Sequence, residues 1–398
     1  MATIAVIGTL DSKGAEHAFI ARQIEVQGHE ALLVDVGTLG KAQVEAHVSR
    51  EQVLAASGRS FPKEEDRGAR VSVMVEALPV FLRKLVDEKE IAGVISLGGG
   101  GGTAIATAGM RALPVGFPKV MVSTLASGNT AHYVGTKDIV MVPSIVDVAG
   151  LNQVSKTIFT RAAGAICGMV NVNLDSEEER PIIVASMFGN TTECVNAARE
   201  LLEGEGYEVL VFHATGMGGK TMESLIESGM VKGVLDVTTT EWADELTGAT
   251  LSAGPTRLDA AAIAKVPAIV VPGCLDMANF GERDTVPAHY EDRLFYIHNP
   301  QVTLMRTNVE ECERLGKILA EKVNAYEAPV TVLLPIRAIS IISAEGQPFH
   351  APEADKALFD AIKDNLSSEV ELIEVDAEIN APEFSTACAQ ALLKNLNQ

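Results

Sequence analysis

A chain of 398 residues is too long for one ordinary core and sets an expectation of two or three domains. With 47% hydrophobic and 21% charged residues it has a soluble globular composition, and no apolar run reaches the length of a membrane span. A formal net charge of −21 with no visible Lys/Arg cluster argues against a nucleic-acid binder, but leaves room for a local site for a small anion.

The N-terminus enters a strand at residues 3–7 with no basic region before it. This argues against a signal or transit peptide and for a cytoplasmic protein. That strand empties into Gly8-Thr9-Leu10-Asp11-Ser12-Lys13-Gly14. Helical spacing follows over 15–27, then a strand at 31–36 that ends in Asp35-Val36 and a second glycine loop, residues 37–40. The pattern is βαβ, which implies parallel strands and a right-handed crossover. Residues 41–70 read as polar, helical or irregular, and helical spacing returns over 71–86. The apolar run 94–97 then meets Gly98, Gly99, Gly100, Gly101 and Gly102, with Thr103 opening a helix. Strands at 119–123 and 139–142 follow, the first ending in a loop that holds Ser127, Gly128, Asn129 and Thr130. A helix over 152–172 leads to a charged run, 174–180, expected to be a linker.

From residue 181 the same order returns: strand, loop, helix, strand, glycine loop, helix, strand, threonine loop. Even EGYEVLVFHATG echoes QGHEALLVDVGT. Strands at 268–271, 330–335 and 370–375 and helices over 308–324, 349–366 and 383–396 complete the chain, with 280–299 read as irregular. The expected fold is α/β: two related Rossmann-like domains, residues 1–178 and 179–398, with mostly parallel sheets and a cleft between them.

Three sets of residues could carry chemistry. The first is the N-terminal loops, where glycines allow φ > 0 and close approach, and backbone amides and hydroxyls suit phosphate oxygens. Lys13 adds a point charge, and Asp11 or Asp35 could hold Mg²⁺ or a ribose hydroxyl, although no G-x-G-x-x-G fingerprint follows the first strand. The second is Ala214 through Thr221, which ends in Gly-Lys-Thr like a Walker A loop but has Ala214 where the first glycine belongs; a small anion at Gly216, Gly218 and Gly219 is the remaining expectation. The third gathers Cys274, Asp276, His289, His298 and Arg306, where a Cys–His couple could attack an acyl group; Asp276 with Glu241 and Asp244 could instead supply general acid–base work, or Glu241 to Glu245 could be the acidic first turn of a helix. The five cysteines, 167, 194, 274, 312 and 388, form no C-x-x-C pair and indicate neither a zinc site nor a disulfide framework.

GTLDSKG at Gly8, LGGGGGT at Leu97, STLASGNTAHYVG at Ser123, GCLDMANFG at Gly273 and HNPQVTLMRT at His298 together resemble the uncharacterised bacterial and fungal family that shares the Tm-one-like ATP-binding domain, found also in a tomato virus-resistance protein. The resemblance runs over essentially the whole chain and matches the stand-alone microbial form, without a fused TIM-barrel domain. It implies ATP binding and self-association as a dimer or tetramer. The matching positions are Gly8, Thr9, Asp11, Lys13, Gly98 to Thr103, Ser127 and Asn129. It supplies no reaction. The expected function is therefore binding of ATP with Mg²⁺, in an enzyme of small-molecule catabolism or in a non-catalytic oligomer gated by nucleotide; a Cys-dependent hydrolase is a further alternative.

Overall fold

The computed structural model describes residues 1–62, 66–172 and 180–398. They fall into two compact units, Met1–Ser176 and Glu177–Gln398. The charged run expected as a linker lies, except for Arg180, outside the described residues.

In the first unit, β1 (Thr3–Gly8), β2 (Glu30–Asp35), β3 (Gly93–Gly98), β4 (Lys119–Ser123) and β5 (Val140–Pro143) form one sheet in the order β2-β1-β3-β4-β5. Every pairing is parallel. The central strands are continuous apolar runs because both faces are covered. Ile4 and Val6 pack on one side with Ile20, Ile24, Phe159 and Ile166, from the helices Leu10–Val26 and Gln153–Asn171. Ala5 and Ile7 pack on the other with Met74, Leu78, Ile105 and Met110, from the helices Arg67–Asp87 and Gly100–Arg111. The strand order reverses between β1 and β3, and a crevice outside the carboxyl ends of such strands is where doubly wound sheets place ligands.

The second unit holds β6 (Ile182–Met187), β7 (Glu208–His213), β8 (Val231–Thr238), β9 (Ala268–Gly273), β10 (Met277–Phe280), β11 (Phe295–Asn299), β12 (Val302–Arg306), β13 (Val330–Pro335) and β14 (Glu371–Val375). Its main sheet runs β14-β13-β9-β8-β6-β7 and is again all parallel. Counted from its own first strand, the order is 2-1-3-4-5 plus an edge strand, the order of the first unit. Both units are Rossmann-like, as the repeated pattern in the sequence implied.

Two expectations are corrected. Residues 280–299 are not simply irregular: β10, β12 and β11 form an antiparallel sheet inserted between β9 and β13. Its strands are short and β11 is largely exposed, so no apolar run marks it. The helix after β3 begins at Gly100 rather than at Thr103, which places three glycines inside its first turn.

Candidate functional site

A cavity of about 420 Å³ lies over the carboxyl ends of β1, β2 and β3. Three loops wall it: Thr9 to Lys13 after β1, Thr38 to Gly40 after β2 and Gly99 to Gly102 after β3; Arg67 closes the remaining side. Of the residues expected to bind, Thr9, Asp11, Lys13, Gly99, Gly100, Gly101 and Gly102 come together here. Gly8, Asp35, Gly98, Thr103, Ser127, Gly128 and Asn129 do not line it.

The glycines divide by what a side chain would meet. At Gly8 a Cβ would run into the His17 ring at 2.4 Å, and at Gly98 it would meet Gly102 Cα at 3.1 Å, so both are glycine for packing. At Gly100 a Cβ meets nothing within 4 Å, and at Gly99 and Gly101 the nearest atoms are side-chain ends at 3.7 and 3.8 Å. None of the five has a positive φ, contrary to the use of glycine expected from the sequence. The fold therefore requires no glycine at Gly99, Gly100 or Gly101, although glycine in a helix costs about 0.5–1 kcal/mol relative to alanine. The helix cap, Gly99, has no side chain to accept the first-turn amides. Those N–H groups remain available at the positive end of a helix dipole.

Thr103, by contrast, is buried, and its hydroxyl pairs with Ser123 Oγ at 2.7 Å. Asn129 turns its Oδ1 to the amide of Ala131 at 3.1 Å in an exposed loop. Asp35 serves the scaffold rather than a ribose: its Oδ1 accepts from the amides of Leu10 at 3.2 Å and Gly37 at 2.8 Å. Burial pushes its carboxyl up, against the pull of those two amides.

Among the described residues that line the cavity, Asp11 is the one acid. Its Oδ2 accepts from the amides of Thr38, Leu39 and Gly40 at 3.1, 2.9 and 3.3 Å, which ties the first loop to the second. Arg50 backs that loop, donating to Gly40 O at 2.7 Å and Gly37 O at 3.3 Å. Lys13 lies at a break in helical geometry (φ −135°, ψ 33°) and its Nζ donates to Val148 O.

Arg67 is the residue that sequence reasoning missed. It sits in the first turn of its helix, after the cap Asp66, whose Oδ1 accepts from Ala69 N at 2.6 Å. Among the described residues its guanidinium has no carboxylate partner. Arg70 shares the turn but is engaged by Thr38 O at 3.2 Å and the Phe61 ring. Two arginines in the first turn lie against the helix dipole, with the Asp66 cap as the compensating acid.

Beneath the first loop, His17 is fully buried and its Nδ1 meets Lys13 O at 2.7 Å. Burial lowers its pKa from 6.5 to about 4. Between those values the unfolded chain binds a proton that the folded chain refuses, so stability is complete above pH 6.5 and falls as the pH drops toward 4. His17→Gln should flatten this part of the stability–pH curve, read by urea unfolding followed by circular dichroism. An unchanged slope would assign the proton uptake to another group.

The Walker-like loop in the second unit is already filled. The amides of Gly216 and Gly219 both donate to Glu241 Oε1, at 2.7 and 3.1 Å. Glu241 Oε2 accepts from Arg257 Nε at 2.8 Å. Arg257, 1% exposed, also reaches both Asp236 oxygens at 2.6 Å and Glu223 Oε1 at 3.1 Å. The loop's anion is thus the protein's own carboxylate, which corrects the expectation of a free anion site at Gly216 to Gly219. Asp244, likewise fully buried, is tied to Asn279 by Oδ1 at 2.8 Å and Oδ2 at 2.7 Å, and burial raises its pKa to about 7.

The third set is not one site. Asp276 accepts from Ser340 Oγ at 2.8 Å and burial raises its pKa to about 6. Cys274 is fully buried, and burial together with Asp276 pushes its thiol well above the ordinary range. His289 and His298 are exposed, and among the described residues no hydrogen bond joins a histidine to Cys274. All five cysteines are buried and free.

Residues 2–175 match the model of the uncharacterised protein family (UPF0261) N-terminal domain, and residues 180–396 match its C-terminal domain. The chain belongs to the UPF0261 family. A UPF0261 protein of Clostridium tetani is 47% identical over 99% of both chains. One from Rhizobium meliloti is 44% identical over 98% of both. The ToMV resistance protein Tm-1 of Solanum lycopersicum is 37% identical over 98% of this chain and 55% of its own length, so the family resemblance read from the motifs holds. Among the described residues, no helix is long and apolar enough to cross a membrane.

Proposed function

We propose that the first unit binds ATP with Mg²⁺, its phosphates against Gly99 to Gly102. The observation that carries this reading is the open first turn at Gly100: glycines that the backbone does not require, offering amides to a cavity flanked by Lys13 and Arg67. A cavity of about 420 Å³ is of ligand size. The motif resemblance supplies the choice of ATP. Mg²⁺ fits a site with one acid, because it keeps several waters and takes most of its ligands from phosphate. Asp11 would supply the carboxylate and Thr9 or Ser12 a hydroxyl. Among the described residues no group of three or more His, Cys, Asp or Glu side chains could hold a metal without such help.

The same geometry favours holding nucleotide over hydrolysing it. Asp11 is engaged by three amides, and among the described residues no other acid or histidine lines the cavity to take a proton from an attacking group. Nucleotide that stabilises an oligomer is the corresponding cytoplasmic role. Calorimetric titration with ATP and Mg²⁺ tests the reading, and absence of saturable binding would overturn it. Arg67→Ala should weaken binding about tenfold, the loss of one charge-assisted contact to phosphate. Lys220→Ala should leave binding unchanged, since its loop is closed by Glu241. Sedimentation with and without nucleotide reads the coupling to assembly.

A further inference from the structure

We propose that the second unit carries its own small-molecule site, for a planar carboxylic acid, over the carboxyl ends of β6 and β7. A cavity of about 370 Å³ lies there. Phe188 and Asn190 follow β6, His213 ends β7, and Tyr296, His298 and Val302 come from the inserted antiparallel sheet, which forms the wall opposite. In the first unit the loops after the first and second strands supply Asp11 and Thr38 to the ATP cavity. The two cavities therefore occupy corresponding positions on sheets of the same strand order.

Their chemistry differs. The third loop, which supplies the glycines in the first unit, is closed here: Thr238, Thr239 and Thr240 are fully buried, and Thr238 Oγ1 pairs with Thr191 Oγ1 at 2.7 Å. With the Gly216 and Gly219 amides held by Glu241, the glycine loop after β7 offers no cradle to a phosphate. No Lys, Arg, Asp or Glu lines the cavity. What lines it is a mostly apolar wall with aromatic rings, Phe188 meeting His213 edge-on at 5.3 Å between centroids. Among the described residues neither the His213 nor the His298 imidazole has a hydrogen-bond partner, and the Asn190 amide makes only a 3.7 Å contact to Met277 Sδ. Three N–H groups beside an apolar wall, with no competing carboxylate, suit a flat body ending in a carboxylate. A volume of about 370 Å³ is that of a small-ligand pocket.

Benzoate is the probe, titrated into the full chain by saturation-transfer NMR, with benzyl alcohol as its uncharged counterpart. Benzoate should saturate one site and benzyl alcohol should bind at least about tenfold more weakly. Val302→Trp should abolish binding by filling the cavity. The exposed pair His213→Ala and His298→Ala should weaken it about tenfold, and decides the matter alone if the tryptophan variant fails to fold. Gly100→Val should bind benzoate like the wild type. Equal binding of the two probes would overturn the acid class. No saturable binding, full binding by folded Val302→Trp or by the histidine variant, or loss in Gly100→Val would overturn the site.

Discussion

Gly100→Val should lose ATP affinity by about 100-fold without losing thermal stability. The two halves of this expectation have separate causes. Gly100 has helical backbone, no positive φ and open space where a Cβ would stand, so a side chain is accommodated by the fold. Valine is also a better helix former than glycine, by a few tenths of a kcal/mol. The open space is, however, where the proposed nucleotide's phosphate oxygens would approach the first-turn amides. Blocking one or two charge-assisted hydrogen bonds costs about 1.5–3 kcal/mol each, and 100-fold corresponds to about 2.7 kcal/mol. Calorimetry with MgATP and a thermal melt read the two halves. A variant that melts like the wild type and binds like it would remove the nucleotide from this loop.

Arg257→Met should be the most damaging single change in the second unit. Its guanidinium lies among Asp236, Glu241 and Glu223, all four groups buried or nearly so. Charges at this depth exist only because each is paired or hydrogen-bonded. Removing the cation leaves three carboxylates facing one another, and breaking a buried pair costs about 3–5 kcal/mol. For a unit of this size that is a fall of roughly 6–20 °C in melting temperature. Glu223→Gln should cost less, because a glutamine oxygen can still accept from Arg257 and the Leu258 amide while Asp236 and Glu241 keep the cation paired. The chain's single tryptophan, Trp242, lies in the core of this unit, so its fluorescence reports the transition selectively. A melt within about 2 °C of wild type, the effect of less than 1 kcal/mol, would show that water reaches the cluster.

The sheets were legible in the sequence because fully buried parallel strands leave continuous apolar runs closed by glycine or threonine loops, and residues 94–97 and 268–271 are such runs. The cavity over β1, β2 and β3 was half legible. Thr9, Asp11, Lys13 and the glycines were found from loop chemistry, which is local. Asp35 misled because a strand-end acid looks alike whether it faces a ribose or, as here, the amides of Leu10 and Gly37. Arg67 was missed because it joins the site from a polar segment read as helical or irregular, brought there by the packing of its helix on Gly100–Arg111. The three-stranded insert escaped because β11 is an exposed edge, although the Asn-Pro turn at Asn299 was there to be read. Glu241 and Gly216 lie 25 residues apart, and no local pattern could say that one fills the other.

That last contact has a meaning for how motifs in this chain respond to the cell. Glu241 is a ligand that cannot diffuse away. Tethered by the fold, it acts at an effective concentration on the order of millimolar or higher, whatever the free phosphate or nucleotide around it. The loop from Gly216 to Lys220 is therefore insensitive to metabolite levels, unlike the open glycine loop after β3, whose first-turn amides have no such tethered acid among the described residues.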